Sequence, residues 1–181
     1  MYEIRFHGMG GEGVVTLSEM IGKTATRCDK WAHSLPFFGT EVRGAPVKAF
    51  TRVSDSPISI KSYIYEPDII VMTNDTLLEL EETTKGLKKA GSLIINTTKK
   101  REALEPFCHS RIYPINATAL AYELFGRPIV NTILFGALLG VTDLFPLEAA
   151  AEIVTEQFDG RNSDLNRQAL SRGYEGIRKV I

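Results

Sequence analysis

The residues best suited to chemistry lie near the N-terminus, where Gly8-Met9-Gly10-Gly11-Glu12-Gly13 contains a Gly-x-Gly-x-x-Gly spacing. In that pattern Gly8 permits a tight turn, Gly10 lets a phosphate approach the backbone, and Gly13 lets the following helix pack close to its strand. Free N–H groups at the helix start then face an anion. A turn between a strand and a helix can need glycines only to close; four glycines in six residues favour a binding role. Glu12 stands at the same helix start, where its carboxylate satisfies the dipole and repels a phosphate in front of it. It therefore either points away from the ligand or caps the helix.

A second loop, Pro36 to Pro46, sets Thr40, Glu41 and Arg43 between Gly39 and Gly44. It exposes backbone and offers one guanidinium for bidentate contact with a phosphate or carboxylate; the plain alternative is a surface ion pair. A dinucleotide site would also place an acid about 20 residues after the glycine motif for the ribose hydroxyls. That stretch reads Ala32-His33-Ser34-Leu35, which disfavours NAD. His7, ending the first strand, is expected to be a packed structural histidine rather than a phosphate contact. Asn131 opens a helix, either as its cap or as a ligand contact. Trp31, Phe37 and Phe38 suit either a partner-facing surface or ordinary packing.

Other chemistries are poorly supplied. The two cysteines, Cys28 and Cys108, form no Cys-x-x-Cys pair, so no iron–sulfur cluster or thiolate zinc site assembles locally, and both are expected to act as buried small hydrophobes. His33 and His109 lack companions at ligand spacing. With 21 basic against 22 acidic residues, net charge is −1, which offers no electrostatic footprint for nucleic acid. No apolar stretch approaches the ~20 residues of a membrane span and no signal peptide is evident, so a cytoplasmic location is expected.

The elements that position these residues follow from periodicity. Residues 2–7 alternate as a strand, and Val14 to Thr26 carries apolar residues at helical spacing (Val14, Leu17, Ile21, Ala25). Val47 to Val53 is a strand; Ser54-Asp55-Ser56-Pro57 is a turn, and Ile58 to Ile64 is expected to return as its antiparallel partner. Continuous apolar runs at Asp68–Thr73 and Ser92–Asn96 read as buried strands, with a short one at Ile112–Ile115. Helices are expected over Thr76–Ala90, Ala117–Phe125, Thr132–Val141, Leu147–Phe158 and Ser163–Lys179, the last with Ser163 as N-cap. The 181 residues thus read as one Rossmann-like α/β/α domain, a mostly parallel sheet with an inserted β-hairpin, spanning 1–181.

Taken together, Arg5 to Thr16 and Phe37 to Pro46 closely resemble the gamma subunit of 2-oxoacid:ferredoxin oxidoreductases, with the pyruvate and ketoisovalerate enzymes nearest. Further matches are Arg52 to Ile58, Pro67-Asp68, Asn131 and Gly136-Ala137-Leu138-Leu139-Gly140, so the resemblance covers almost the whole chain. Members of that family typically have Gln where Glu12 stands, and many carry another residue at Thr40. The resemblance implies an enzyme complex that decarboxylates a 2-oxoacid on thiamine diphosphate, passes electrons through iron–sulfur clusters to ferredoxin and releases an acyl-CoA. It implies that thiamine diphosphate, Mg and the clusters reside on alpha, beta and delta type partner subunits. For this chain it implies assembly and the placing of coenzyme A, with Gly8, Gly10, Gly11, Glu12, Gly13, Gly39, Thr40, Glu41, Arg43 and Asn131 as contact residues and no catalytic residue of its own. From the glycine motif alone, the other readings are a stand-alone nucleotide-binding oxidoreductase or a purely structural interaction subunit.

Overall fold

A computed structural model of the chain describes residues 1–37 and 45–180, without the side chain of Glu81. Six strands form one sheet in the order β2-β3-β1-β4-β5-β6. They are β1 (Tyr2–Met9), β2 (Trp31–Phe37), β3 (Pro46–Ser54), β4 (Ile69–Met72), β5 (Ser92–Asn96) and β6 (Arg111–Ile115). β1, β4, β5 and β6 run parallel, while β3 pairs antiparallel with both β1 and β2. The chain therefore switches direction across the sheet at β1.

The five α-helices among the described residues contribute to the core on one face: α1 (Val14–Arg27), α2 (Ala117–Phe125), α3 (Asn131–Thr142), α4 (Leu147–Gln157) and α5 (Gly160–Arg178). The pleat divides the strands: Ile4, Phe6, Val71 and Ile94 join the helical core, while Ile70, Met72, Leu93 and Ile95 point the other way. The apolar stripe of α1 buries Val14, Leu17, Ile21 and Ala25, as its spacing requires. Helix α3 is buried nearly all round, and it meets α5 backbone to backbone. A Cβ on Gly136 would stand 1.9 Å from the Leu170 carbonyl oxygen, and one on Gly173 would stand 1.9 Å from that of Ile133.

The second face is covered by short 3-10 turns, which corrects the expected helix over Thr76–Ala90. The segment forms turns at Asp75–Glu79 and Glu81–Thr83 instead. Gly86 lies at φ +80° with the Tyr65 carbonyl oxygen where a Cβ would be, and the Thr83 hydroxyl bonds back to the carbonyls of Leu77 and Leu80. These bonds and Arg5, which takes the Thr83 and Lys85 carbonyls, displace the helical ladder.

The hairpin exists but with a different partner. Residues 58–64 form no strand, because their carbonyls are drawn to guanidinium groups: Ser62 and Tyr63 to Arg52, Ile64 to Arg5. The antiparallel partner of β3 is β2, upstream, and Pro36 is tolerated there because β2 is the sheet edge. Finally, α5 starts at Gly160 after Asp159 as cap residue, so Ser163 is a buried residue of its first turn and not the N-cap.

Candidate functional site

β1 delivers the glycine turn to the edge of the sheet where β4, β5 and β6 also end. Gly11 and Gly13 take φ values of +95° and +74°, which only glycine adopts without strain. Gly8 lies inside β1, and its role is space: a Cβ there would stand 2.3 Å from both Thr73 Oγ1 and Val14 Cγ2. Gly13 is demanded by α3 rather than by its own strand, since its Cβ would stand 2.6 Å from Asn131 Nδ2. The Gly10 amide is already committed, donating 2.8 Å to the Ala45 carbonyl. That bond draws the end of the second glycine loop against the first.

Glu12 settles between its two expected roles. Its carboxylate folds back under the turn, accepting from the Met9 N–H at 2.7 Å, from the Thr73 hydroxyl and from Asn74 Nδ2 at 3.3 Å. It staples the end of β1 to the end of β4, and the cap position of α1 is Gly13, with no side-chain cap.

Around this turn opens a cleft of about 550 Å³ lined by Gly10, Gly11 and Glu12, then by Thr73-Asn74-Asp75 after β4, Asn96-Thr97-Thr98 after β5, Asn116 and Thr118 after β6, and Pro128 and Val130 before α3. Ligands in open α/β sheets bind beyond the carboxyl ends of the strands, where the connection reverses. The polar residues that follow each apolar strand run were the signal for this half of the cleft, which the glycine motifs alone did not reveal. Three helices begin here, and asparagines take some of the leading amides of two: Thr118 N–H donates to Asn96 Oδ1 at 3.1 Å, Ala119 N–H to Asn116 Oδ1 at 3.0 Å, and Thr132 N–H to Asn131 Oδ1 at 2.9 Å. At α1 the Gly11 and Gly13 amides lack an acceptor among the described residues.

Of the residues singled out from sequence, Gly10, Gly11 and Glu12 line the cleft, and Gly8, Gly13 and Asn131 shape it from behind. Asn131 is buried against the turn and engages its neighbour's amide, so it acts as neither the cap residue of α3, which is Val130, nor a lining group. Gly39, Thr40, Glu41, Arg43 and Phe38 lie outside the described residues. His7 is packed as expected: burial, with Arg5 and Lys48 nearby, pushes its pKa down to about 3, and its Nε2 has no partner. Trp31 and Phe37 are exposed, the latter edge-on to Tyr63. Cys108 is buried, but Cys28 is only half-buried, at the end of α1. Among the described residues no cluster of His, Cys, Asp or Glu is fit to hold a metal, and no helix is long and apolar enough to cross a membrane.

A dinucleotide fold would set a parallel strand bearing the ribose-binding acid beside β1 on this side. Here the antiparallel β3 occupies that place, with Pro46 and Val47 opposite Met9 and Gly8.

Comparison with known proteins assigns the fold and the lineage. The pyruvate ferredoxin/flavodoxin oxidoreductase profile matches residues 3–176. The pyruvate synthase subunit PorC of Methanothermobacter thermautotrophicus is 39% identical over 99% of this chain and 98% of its own length. The common gamma subunit of the pyruvate/ketoisovalerate oxidoreductases of Thermococcus kodakarensis is 42% identical over 96% of each chain. The crystal structure of the pyruvate oxidoreductase subunit PORC from Thermotoga maritima superposes with a TM-score of 0.88 at 34% identity, covering 97% of this chain and 96% of that one. A 2-oxoglutarate:ferredoxin oxidoreductase from Magnetococcus marinus, solved with 2-oxoglutarate, coenzyme A and succinyl-CoA bound, shares the fold at 17% identity and a TM-score of 0.80, the match covering 99% of this chain and 31% of that one. The chain belongs to the pyruvate ferredoxin/flavodoxin oxidoreductase family, as a gamma-type subunit of an oxidoreductase complex.

Proposed function

We propose that this subunit helps place coenzyme A for acyl transfer inside the assembled complex. The observation that carries the reading is the cleft at the carboxyl ends of β1, β4, β5 and β6, where the Gly10–Ala45 hydrogen bond holds Ala45 against the glycine turn. The described cleft is lined mainly by amide and hydroxyl groups suited to hydrogen bonding, which fits positioning of a ligand. Its partners in this reading are alpha, beta and delta type subunits that carry thiamine diphosphate, Mg and iron–sulfur clusters, with ferredoxin reached through them in the cytoplasm. The supplied chemistry is decarboxylation and electron transfer on those groups; this chain's residues bind, orient and shield the acyl acceptor.

The test is reconstitution with the partner subunits and a Gly11→Ala variant. At φ +95° the added Cβ strains the turn by about 1–2 kcal/mol. The Michaelis constant for coenzyme A should rise several-fold while that for the 2-oxoacid stays put. An unchanged coenzyme A constant, or no stable complex, would overturn the reading.

A further inference from the structure

The α-helices cover one face of the sheet; among the described residues the other carries 3-10 turns and irregular chain. On that second face β1 and β3 set Arg5 opposite Phe50 and His7 opposite Lys48. A groove of about 500 Å³ opens there, lined by Arg5, Phe37, Phe50, Tyr63, Tyr65 and Lys85 among others. Past Phe37, Lys48 and Glu82 it continues into a hollow of about 370 Å³ that reaches His7 and Gly8. The Tyr63 ring meets Phe37 edge-on at 5.4 Å and Phe50 at 5.3 Å, and Phe37, Tyr63 and Tyr65 remain exposed.

Arg5 is 6% exposed, and its guanidinium donates to the carbonyls of Ile64, Tyr65, Thr83 and Lys85 at between 2.6 and 3.5 Å. Its Nε has no partner, and no carboxylate pairs with it among the described residues. Carbonyl dipoles satisfy donors but carry no net charge, so a full positive charge stays buried without a counter-ion. Burial first, then Arg5 and Lys48, hold the pKa of His7 down, which agrees with a positive potential along the groove. Lys48 is offset by Glu82 at 3.3 Å, whereas Lys85 and Glu66 have no ionic partner among the described residues.

We propose that this groove docks a segment of a partner subunit that carries an apolar side chain next to a carboxylate. The apolar group enters between Phe37, Phe50 and Tyr63, and the carboxylate faces Arg5 and Lys85. Exposed aromatics at the rim extend the apolar surface beyond what a small molecule covers, as at protein interfaces. A second copy of this chain is disfavoured, because a two-fold contact centred here would set Arg5, Lys48 and Lys85 against themselves. The proposal rests on the multi-subunit assembly above and not on the placing of coenzyme A.

The experiment measures association of the full chain with its co-purified partner subunits. Tyr65→Ser and Lys85→Glu alter exposed side chains and keep the carbonyls that Arg5 uses. Each should weaken association about tenfold, while Tyr122→Ser, exposed on α2 across the sheet, should stay within about twofold. Hydrogen exchange over residues 60–66 and 83–86 should slow in the complex, and at saturating subunit the Michaelis constant for coenzyme A should be unchanged. Unaltered association of both variants, or no slowing over these residues, overturns the proposal and leaves the coenzyme A reading standing. Slowing that grows with concentration of the isolated chain would assign the groove to a second copy and overturn it. A raised Michaelis constant for a small substrate with association intact would mark a small-molecule site and also overturn it. If the wild-type chain fails to associate, the assembly reading falls together with this one.

Discussion

Replacing Glu12 with Gln removes one oxygen from a carboxylate that serves three donors. The remaining oxygen keeps the Met9 N–H and the Thr73 hydroxyl, so the new NH₂ must face Asn74 Nδ2, donor against donor. Asn74 has no good alternative, because its Oδ1 already accepts from the Thr76 N–H at 3.1 Å and the Thr76 hydroxyl at 2.9 Å. Two hydrogen bonds lose their charge assistance, at about 1 kcal/mol each, and the weak third is lost. Relief from desolvating the carboxylate returns part of this, leaving a net cost of about 2 kcal/mol. For a chain of 181 residues that corresponds to a fall in Tm of about 4–8 °C, read by circular dichroism at constant ionic strength. Glu12→Ala, which strands the Met9 N–H as well, should fall further. The reasoning is refuted if Glu12→Gln melts at or above the wild-type temperature, since the carboxylate would then not be the staple between β1 and β4.

Three further outcomes are expected. The His7 pKa of about 3 lies below the ~6.5 of an unfolded histidine, so only the unfolded chain gains the proton as pH falls through that window. Stability present above pH 6.5 should therefore drop by about 2 kcal/mol between pH 7 and 5, and His7→Gln should flatten that slope in urea titrations; an unaltered slope would remove His7 as its source. Gly13→Ala should cost about 2–3 kcal/mol from φ +74° and the contact with Asn131, and a double-mutant cycle with Asn131→Ala should recover about 1 kcal/mol, whereas strict additivity would deny the contact. Gly173→Ala should destabilise by more than 3 kcal/mol because its Cβ meets backbone rather than a movable side chain, and a shift under 1 kcal/mol in chemical denaturation would contradict the close approach of α3 and α5.

Much of this architecture is readable from sequence where one element's pattern decides its fate. The buried runs at β4 and β5, the stripe of α1 and the limits of α2 follow from local periodicity. The misplaced elements share a different cause. Residues 58–64 and 76–90 are shaped by Arg5 and Arg52, whose guanidinium groups collect carbonyls from distant segments, and no window of sequence shows where an arginine will reach. The glycine turn was legible as a turn, but Gly8 and Gly13 are fixed by Thr73, Val14 and Asn131, so the duties assigned by motif spacing shifted. The asparagine and threonine wall of the cleft went unseen because single polar residues after strands acquire meaning only when parallel pairing aligns them.

The contact of Gly136 and Gly173 with opposing backbone also bears on the order of assembly. The glycine turn is complete by residue 13, yet the Asn131 that seats it rides on α3, and α3 is held at its depth by α5. During synthesis the first-made part of the cleft must wait for nearly the last segment before it gains its final width. A nascent chain halted before Gly173 would carry the whole lining and still have an unset mouth.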